Sequence, residues 1–417
     1  MSTPSPSWPP WWPATSTADM DLLDKFEAHR ARAHQLGEGG VDPTHVVMEK
    51  MVSATEAVIA GKPTILAGTN NYLGLTFDPE CIAAGQQALA ESGTGTTGSR
   101  MANGNYAGHG ALERELAEFY GVPHAMVFST GYAANVGTLG ALLEPGDAVL
   151  LDADAHASLY DGCRMTGADV YRFKHNDPDS LDKRLRRLGE RAARALVVTE
   201  GLFSVLGDEA PLAEIAAVKS RYGAYLFVDE AHSLGVYGEH GRGFAEKAGV
   251  EDQVDFTVGT FSKSLGATGG YCVSRHEALA LFRFASRAYI FTASPCPSVV
   301  ATTRVALRHV RERGGELRER LWGNAHALHE GLGGLGLRLG ADASPVVAVR
   351  FDDKERALAT WRQLLQLGVY TNLMMPPASP DGSSLLRCSA SAAHTPEQID
   401  TIVDAFRRAV AATDAPA

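Results

Sequence analysis

Lys263 is the one cation in the stretch 255–271, DFTVGTFSKSLGATGGY, where an apolar strand pattern runs into Thr260, Ser262 and a cluster of glycines. A lysine withdrawn from water loses part of its preference for the charged form, and its free amine can add to a carbonyl as a Schiff base. Thr260 and Ser262 offer hydroxyls suited to a phosphate. The same pattern also fits a solvated turn lysine between capping hydroxyls. Asp229 closes the apolar run AYLFVDE, and His232 follows three residues later. An acid there suits a pyridinium nitrogen, because keeping that nitrogen protonated makes a pyridoxal ring an electron sink; it also suits the cap of a following helix. His156 follows AVLLDAD, where an imidazole can stack on an aromatic cofactor or serve as a structural histidine. In FSTGYAAN, Ser129, Thr130, Gly131 and Tyr132 open a helix after a strand, and its free amides attract the phosphate of a nucleotide or of pyridoxal phosphate alike. No GxxxxGK[ST] accompanies it. Arg387 lies mid-strand in SLLRCSAS and needs an internal acid or a substrate carboxylate for its bidentate fork.

Positioning these groups together requires a frame. From Cys81 to Asp229 helical and strand patterns alternate, with strands AMVFS, AVLLDAD, DVYRF, ALVVTEGLF and AYLFVDE between amphipathic segments. That alternation predicts a mostly parallel, doubly wound α/β sheet covered by helices, with ligands bound outside the carboxyl ends of its strands. After Ser298 come a long helix, strand PVVAVRF, a second helix, strand VYTNLM, a Pro-rich loop PPASPDGSS, strand LLRCSAS and a last helix capped by Thr395 with Pro396 at its first position. The expected organisation is a disordered segment at 1–19, an N-terminal helix and linker at 20–62, a large domain at 63–298 and a smaller α+β domain at 299–417. Trp8, Trp11 and Trp12 in the first segment either dock on a partner or are solvated.

Composition removes several classes of function. A net charge of −11 and a pI near 5.7 argue against a nucleic-acid or anionic-membrane surface. Cys81, Cys163, Cys272, Cys296 and Cys388 show no paired metal-ligand spacing, so free thiols in a reducing cytoplasm, and no metal, are expected. No apolar run approaches the roughly 20 residues of a spanning helix, and the start lacks the pattern of a signal peptide. A soluble, cytoplasmic protein is the expectation.

Taken jointly, NYLG, GSR, STGYAAN, DADAHAS, VDEAHSLGVYGEHGRG, GTFSKSLGATGG, YIFTAS and LLRCS resemble the α-oxoamine synthases, pyridoxal-phosphate enzymes of the fold-type-I aminotransferase class, over residues 20–412. The resemblance implies that 63–298 is the pyridoxal-phosphate-binding domain. Lys263 matches the Schiff-base lysine, Asp229 the pyridinium partner, His156 the stacked histidine and His232 the one near the phenolic oxygen. Gly131, Tyr132, Thr260 and Ser262 match phosphate-side positions. Thr292 matches a residue reaching the phosphate of the neighbouring subunit in a homodimer with shared active sites. Arg387 matches the residue that takes the amino-acid carboxylate, with Asn71 beside it in the substrate loop.

The reaction implied is a decarboxylative Claisen condensation of an L-amino acid with an acyl thioester, borne by coenzyme A or a carrier protein, to give an α-amino ketone. Serine leads among the amino acids, with alanine, glycine or another open. The branch of the family that uses serine and palmitoyl-CoA carries a tyrosine before NY and an arginine before PP, where this chain has Asn70 and Met375. An altered amino-acid or acyl preference is therefore expected. An aminotransferase or aldolase of the same class would share Lys263 and Asp229, whereas a non-catalytic partner subunit would be expected to lack the lysine.

Overall fold

A computed structural model describes residues 21–37, 41–376, 379 and 382–414. The segment read as disordered, 1–19, lies outside them, as do Pro377, Ala378, Pro380 and Asp381 of the Pro-rich loop. The strands in chain order are β1 (Met48–Met51), β2 (Glu56–Ile59), β3 (Lys62–Leu66), β4 (His124–Phe128), β5 (Ala148–Asp152), β6 (Asp169–Phe173), β7 (Leu196–Glu200), β8 (Tyr225–Asp229), β9 (Phe256–Thr260), β10 (Gly270–Ser274), β11 (Val346–Phe351), β12 (Val369–Tyr370), β13 (Asn372–Met374) and β14 (Ser384–Ser389).

Seven of them form one sheet in the order β4-β10-β9-β8-β7-β5-β6. The pairs from β9 to β6 are parallel, and β10 runs antiparallel to both of its neighbours. Strands β5 and β7 are buried at every position, which is why they read as unbroken apolar runs rather than alternating ones. Their side chains still alternate between two faces. Leu150, Val197, Leu226 and Val228 enter one core, while Val149, Leu151, Val198 and Phe227 enter another on the opposite face. The doubly wound α/β expectation holds, and the one reversed strand makes a hairpin of β9 and β10 with Lys263 in its connection.

A third core forms around the antiparallel sheet β11-β14-β13 and the helices Lys354–Gln366 and Pro396–Asp414. The last helix begins as expected, with the Thr395 hydroxyl accepting from Gln398 N–H at 3.2 Å and the Gln398 side chain accepting from Thr395 N–H at 3.1 Å. Strand β3 departs from expectation. Residue 63 was to open the large domain, but β3 joins a sheet of order β1-β2-β3-β12, and Leu66 packs with Val347, Val369 and Phe406 in the C-terminal core. The physical reason is a free edge: Ile65 N–H donates to Gly368 O at 2.8 Å, and Val369 then continues parallel to Ile65. The 38-residue helix Pro297–Gly334 belongs to both parts, burying Val300, Leu307 and Leu321 in the first core and Leu328 and Leu332 in the C-terminal one.

Candidate active site

Strand ends of the large sheet converge on a cavity of about 280 Å³ lined by Lys263, Asp229, His156, His232, Gly131, Tyr132, Thr260 and Ser262. These eight sequence-predicted residues come from the ends of four strands of that sheet, β4, β5, β8 and β9, and from the segments that follow them. Thr130 caps the helix Gly131–Leu142 by accepting from Ala133 N–H at 3.0 Å and, at its carbonyl, from Ala134 N–H at 3.0 Å, which leaves the Gly131 and Tyr132 amides for the cavity edge. A Cβ at Gly131 would meet Thr260 Cβ at 2.8 Å, so only glycine lets the helix start sit against the Thr260 and Ser262 hydroxyls, themselves 2.8 Å apart. The result is a cradle for an anion.

In the same cavity, Asp229 accepts from Asn135 Nδ2 at 2.6 Å and from Ala231 N–H at 2.8 Å. The other hydrogen of Asn135 Nδ2 goes to Ser158 Oγ at 2.9 Å, and Ser158 Oγ lies 2.7 Å from His156 Nδ1. Ser158 N–H also points at that nitrogen, at 3.3 Å. His156 has an exposed ring, yet desolvation within the cleft holds its imidazole below the usual range, with Asp229 pulling the other way. Burial brings the Lys263 amine down to about 8, against the opposing pull of Asp229 and with help from the Arg387 charge.

A second network links the cavity to the C-terminal sheet. The buried His232 Nδ1 lies 2.7 Å from Tyr72 OH, whose oxygen also receives Arg387 Nη2 at 3.3 Å. Burial, reinforced by Lys263 and Arg387, keeps His232 well below the ordinary imidazole range. Arg387 also donates from Nε to Ser204 O at 2.6 Å, from Nη1 to Ser389 Oγ at 3.0 Å and from Nη2 to Asn70 Oδ1 at 2.9 Å. No carboxylate pairs with it among the described residues, which favours the substrate-binding alternative over an internal ion pair.

Three expected residues fall elsewhere. Asn71 donates to Ala54 O at 3.3 Å and Thr76 Oγ1 at 2.8 Å, so its amide is engaged in loop packing rather than at the cavity. Met375 packs against the C-terminal core. Thr292 does not line the cavity of its own chain. Conversely, Asn135, Ser158, Tyr72 and Glu200 were passed over. Glu200 closes an apolar strand as Asp229 does, and that shared position was the available signal.

The donor set suits a flat cofactor that carries both an anion and a basic ring nitrogen, and pyridoxal phosphate fits it: hydroxyls and amides at the cradle, with a carboxylate and an amine lining the same cavity. The chain belongs to the aminotransferase class I and II family, whose model matches residues 62–406, and within it to the α-oxoamine synthases. Among its relatives are proteins named serine palmitoyltransferase. The one from Caulobacter vibrioides is 56% identical, over 93% of this chain and 96% of the relative, and the one from Sphingomonas paucimobilis is 52% identical, over 94% and 93%. A solved structure of a serine palmitoyltransferase with PLP superposes with a TM-score of 0.91 at 51% identity, covering 94% of this chain and 99% of that one.

Proposed function

We propose that this chain condenses an L-amino acid, serine first, with a long-chain acyl thioester, releasing thiol and carbon dioxide and giving an α-amino ketone of the kind that begins sphingolipid synthesis. The observation that carries the reading is the meeting of Lys263, Asp229 and His156 in one cavity, in a chain 56% identical to a relative named serine palmitoyltransferase. Bound pyridoxal phosphate supplies the electron sink that makes an amino-acid α-carbon nucleophilic. Gly131 and Tyr132 amides with Thr260 and Ser262 hold the phosphate, Asp229 keeps the ring nitrogen protonated and His156 lies against the ring. Lys263 holds the cofactor and takes the α-proton, a task suited to an amine brought down to about 8. Arg387 receives the amino-acid carboxylate on its fork, and His232, held at Nδ1 by the Tyr72 hydroxyl, lies toward the phenolic oxygen.

We further propose a homodimer in which Thr292 completes the partner's phosphate site. Supporting it, Leu281, Phe284 and Phe291 are 62%, 70% and 74% exposed close to Thr292 in the chain. Cytoplasmic location is proposed on the five free cysteines; among the described residues no helix is long and apolar enough to cross a membrane.

The test is incubation with amino acids and acyl thioesters, following free thiol and carbon dioxide. Equal release of both with serine and palmitoyl-CoA is expected. Transfer of the amino group to an oxo acid without thiol release would assign the chain to the aminotransferases instead.

A further inference from the structure

We propose that Glu200 is an uncharged positioning residue of the cofactor cavity: its carboxyl keeps its proton, holds His156 by the main chain and leaves Asp229 as the single negative charge presented to the cofactor. The role assigned to Asp229 rests on the reading above, whereas the state of the Glu200 carboxyl does not.

Glu200 ends β7 directly opposite Asp229 on β8 in parallel register. Neighbouring strands lie about 4.8 Å apart, so two carboxyls leave the sheet side by side at the same edge and line the same cavity. Glu200 is 3% exposed. A carboxylate that deep gathers donors. Asp229 has two, Asn135 Nδ2 and Ala231 N–H. Glu230, the next residue along, has the Ser233 hydroxyl and the N–H groups of Phe244 and Ala245 at 2.8 Å each. Among the described residues Glu200 accepts one hydrogen bond, from His156 N–H to Oε1 at 2.6 Å. That oxygen is then the carbonyl of a neutral acid, and the proton sits on Oε2.

The charges around it point the same way. Asp229 faces it from β8 and Asp152 from β5, while Lys263 in the β9–β10 connection is the cation lining the cavity and is itself drawn toward neutrality by burial. The His156 ring, at the start of the helix Ala157–Met165, is held below its usual range and adds no positive charge. Burial first and Asp229 second push the Glu200 carboxyl well above the ordinary range, against the His156 N–H and Lys263. Were Glu200 ionised, two adjacent carboxylates would compete for one proton on the cofactor ring. With Glu200 neutral, that proton is governed by Asp229 alone, and His156 is pinned at both ends, by Glu200 on its main chain and by Ser158 on its ring.

The test compares the parent with Glu200→Gln, the neutral isostere, and Glu200→Ala, in the full chain with and without pyridoxal phosphate. A carboxyl raised above its unfolded value of about 4.3 binds more protons folded than unfolded, so it costs the parent stability as pH rises from there toward its folded value. Gln carries no such cost. The melting temperature of cofactor-free Glu200→Gln, relative to the parent, is therefore expected to rise by several degrees from pH 5 to pH 8. The pH midpoint of the bound cofactor's absorbance is expected to stay where it is in the parent. Glu200→Ala, lacking the acceptor, is expected to bind pyridoxal phosphate at least about tenfold more weakly at every pH. A flat melting difference, an absorbance midpoint displaced by about one unit or more, or failure of the Gln variant to fold overturns the proposal. Because the melting comparison needs no cofactor, it separates failure of this inference from failure of the assigned reaction.

Discussion

The amide of Asn135 sets the protonation pattern of the cavity, since its two hydrogens go to Asp229 and Ser158 and so commit the Ser158 hydroxyl to His156 Nδ1. His156 is thereby the Nε2–H form, a flat neutral ring. Lys263 is the group whose state changes near neutrality. Its lowered value means the free amine predominates above about pH 8. In the cofactor-free chain, acylation of Lys263 should titrate with a midpoint near 8, while surface lysines respond near their ordinary value of about 10.4. Borohydride should fix pyridoxal phosphate to Lys263 in a peptide found by mass spectrometry, and Lys263→Ala should bind the cofactor without turnover. Full turnover in that variant would remove Lys263 from the mechanism. Arg387→Ala should weaken the amino acid by about 2–5 kcal/mol, as for truncating one side of a buried charge pair, and leave cofactor binding unchanged. Loss of the cofactor with amino-acid affinity intact would make Arg387 a structural residue.

At the level of elements, the substrate side is built by two loops. Asn70 lies on the loop after β3, and its Oδ1 orients Arg387; Met375 follows β13 and leans on the C-terminal core. A tyrosine at 70 would withdraw an acceptor from the guanidinium, and an arginine at 375 would exchange an adaptable thioether for a fixed cation. The double change Asn70→Tyr with Met375→Arg should therefore reorder a panel of amino acids and acyl thioesters. An unchanged ranking would release both positions from any part in selectivity. Strands β5, β7 and β8 were legible because burial on both faces writes itself as a nearly continuous apolar run, and β9 from its apolar Phe256 and Val258. Strand β10 was not, because its first residue extends a glycine cluster that reads as a loop. Strand β1 escaped because MEKM is largely exposed and offers no apolar alternation, and β2 because EAVI is only four residues long. The cofactor side of the site was readable from strand ends for the same reason the strands were. Tyr72 and Asn135 were not, since they act through residues brought beside them only by folding.

For the whole molecule, the proposed dimer would seat its second copy on the exposed Leu281, Phe284 and Phe291. Phe284→Glu with Phe291→Glu should convert a dimer to a monomer in sedimentation and lower cofactor retention; a variant that sediments like the parent would move the contact elsewhere. The shared helix Pro297–Gly334 has a different bearing, on how the chain comes apart. At about 1.5 Å per residue it runs some 57 Å, and it inserts leucines into both major cores. Neither core can melt without stripping the other of a wall, so urea unfolding followed by probes in either one should superpose in a single transition, and separate midpoints would contradict this. A protease that cuts the chain near residue 298 should find no stable half to leave behind: the chain survives or is degraded as one cooperative unit.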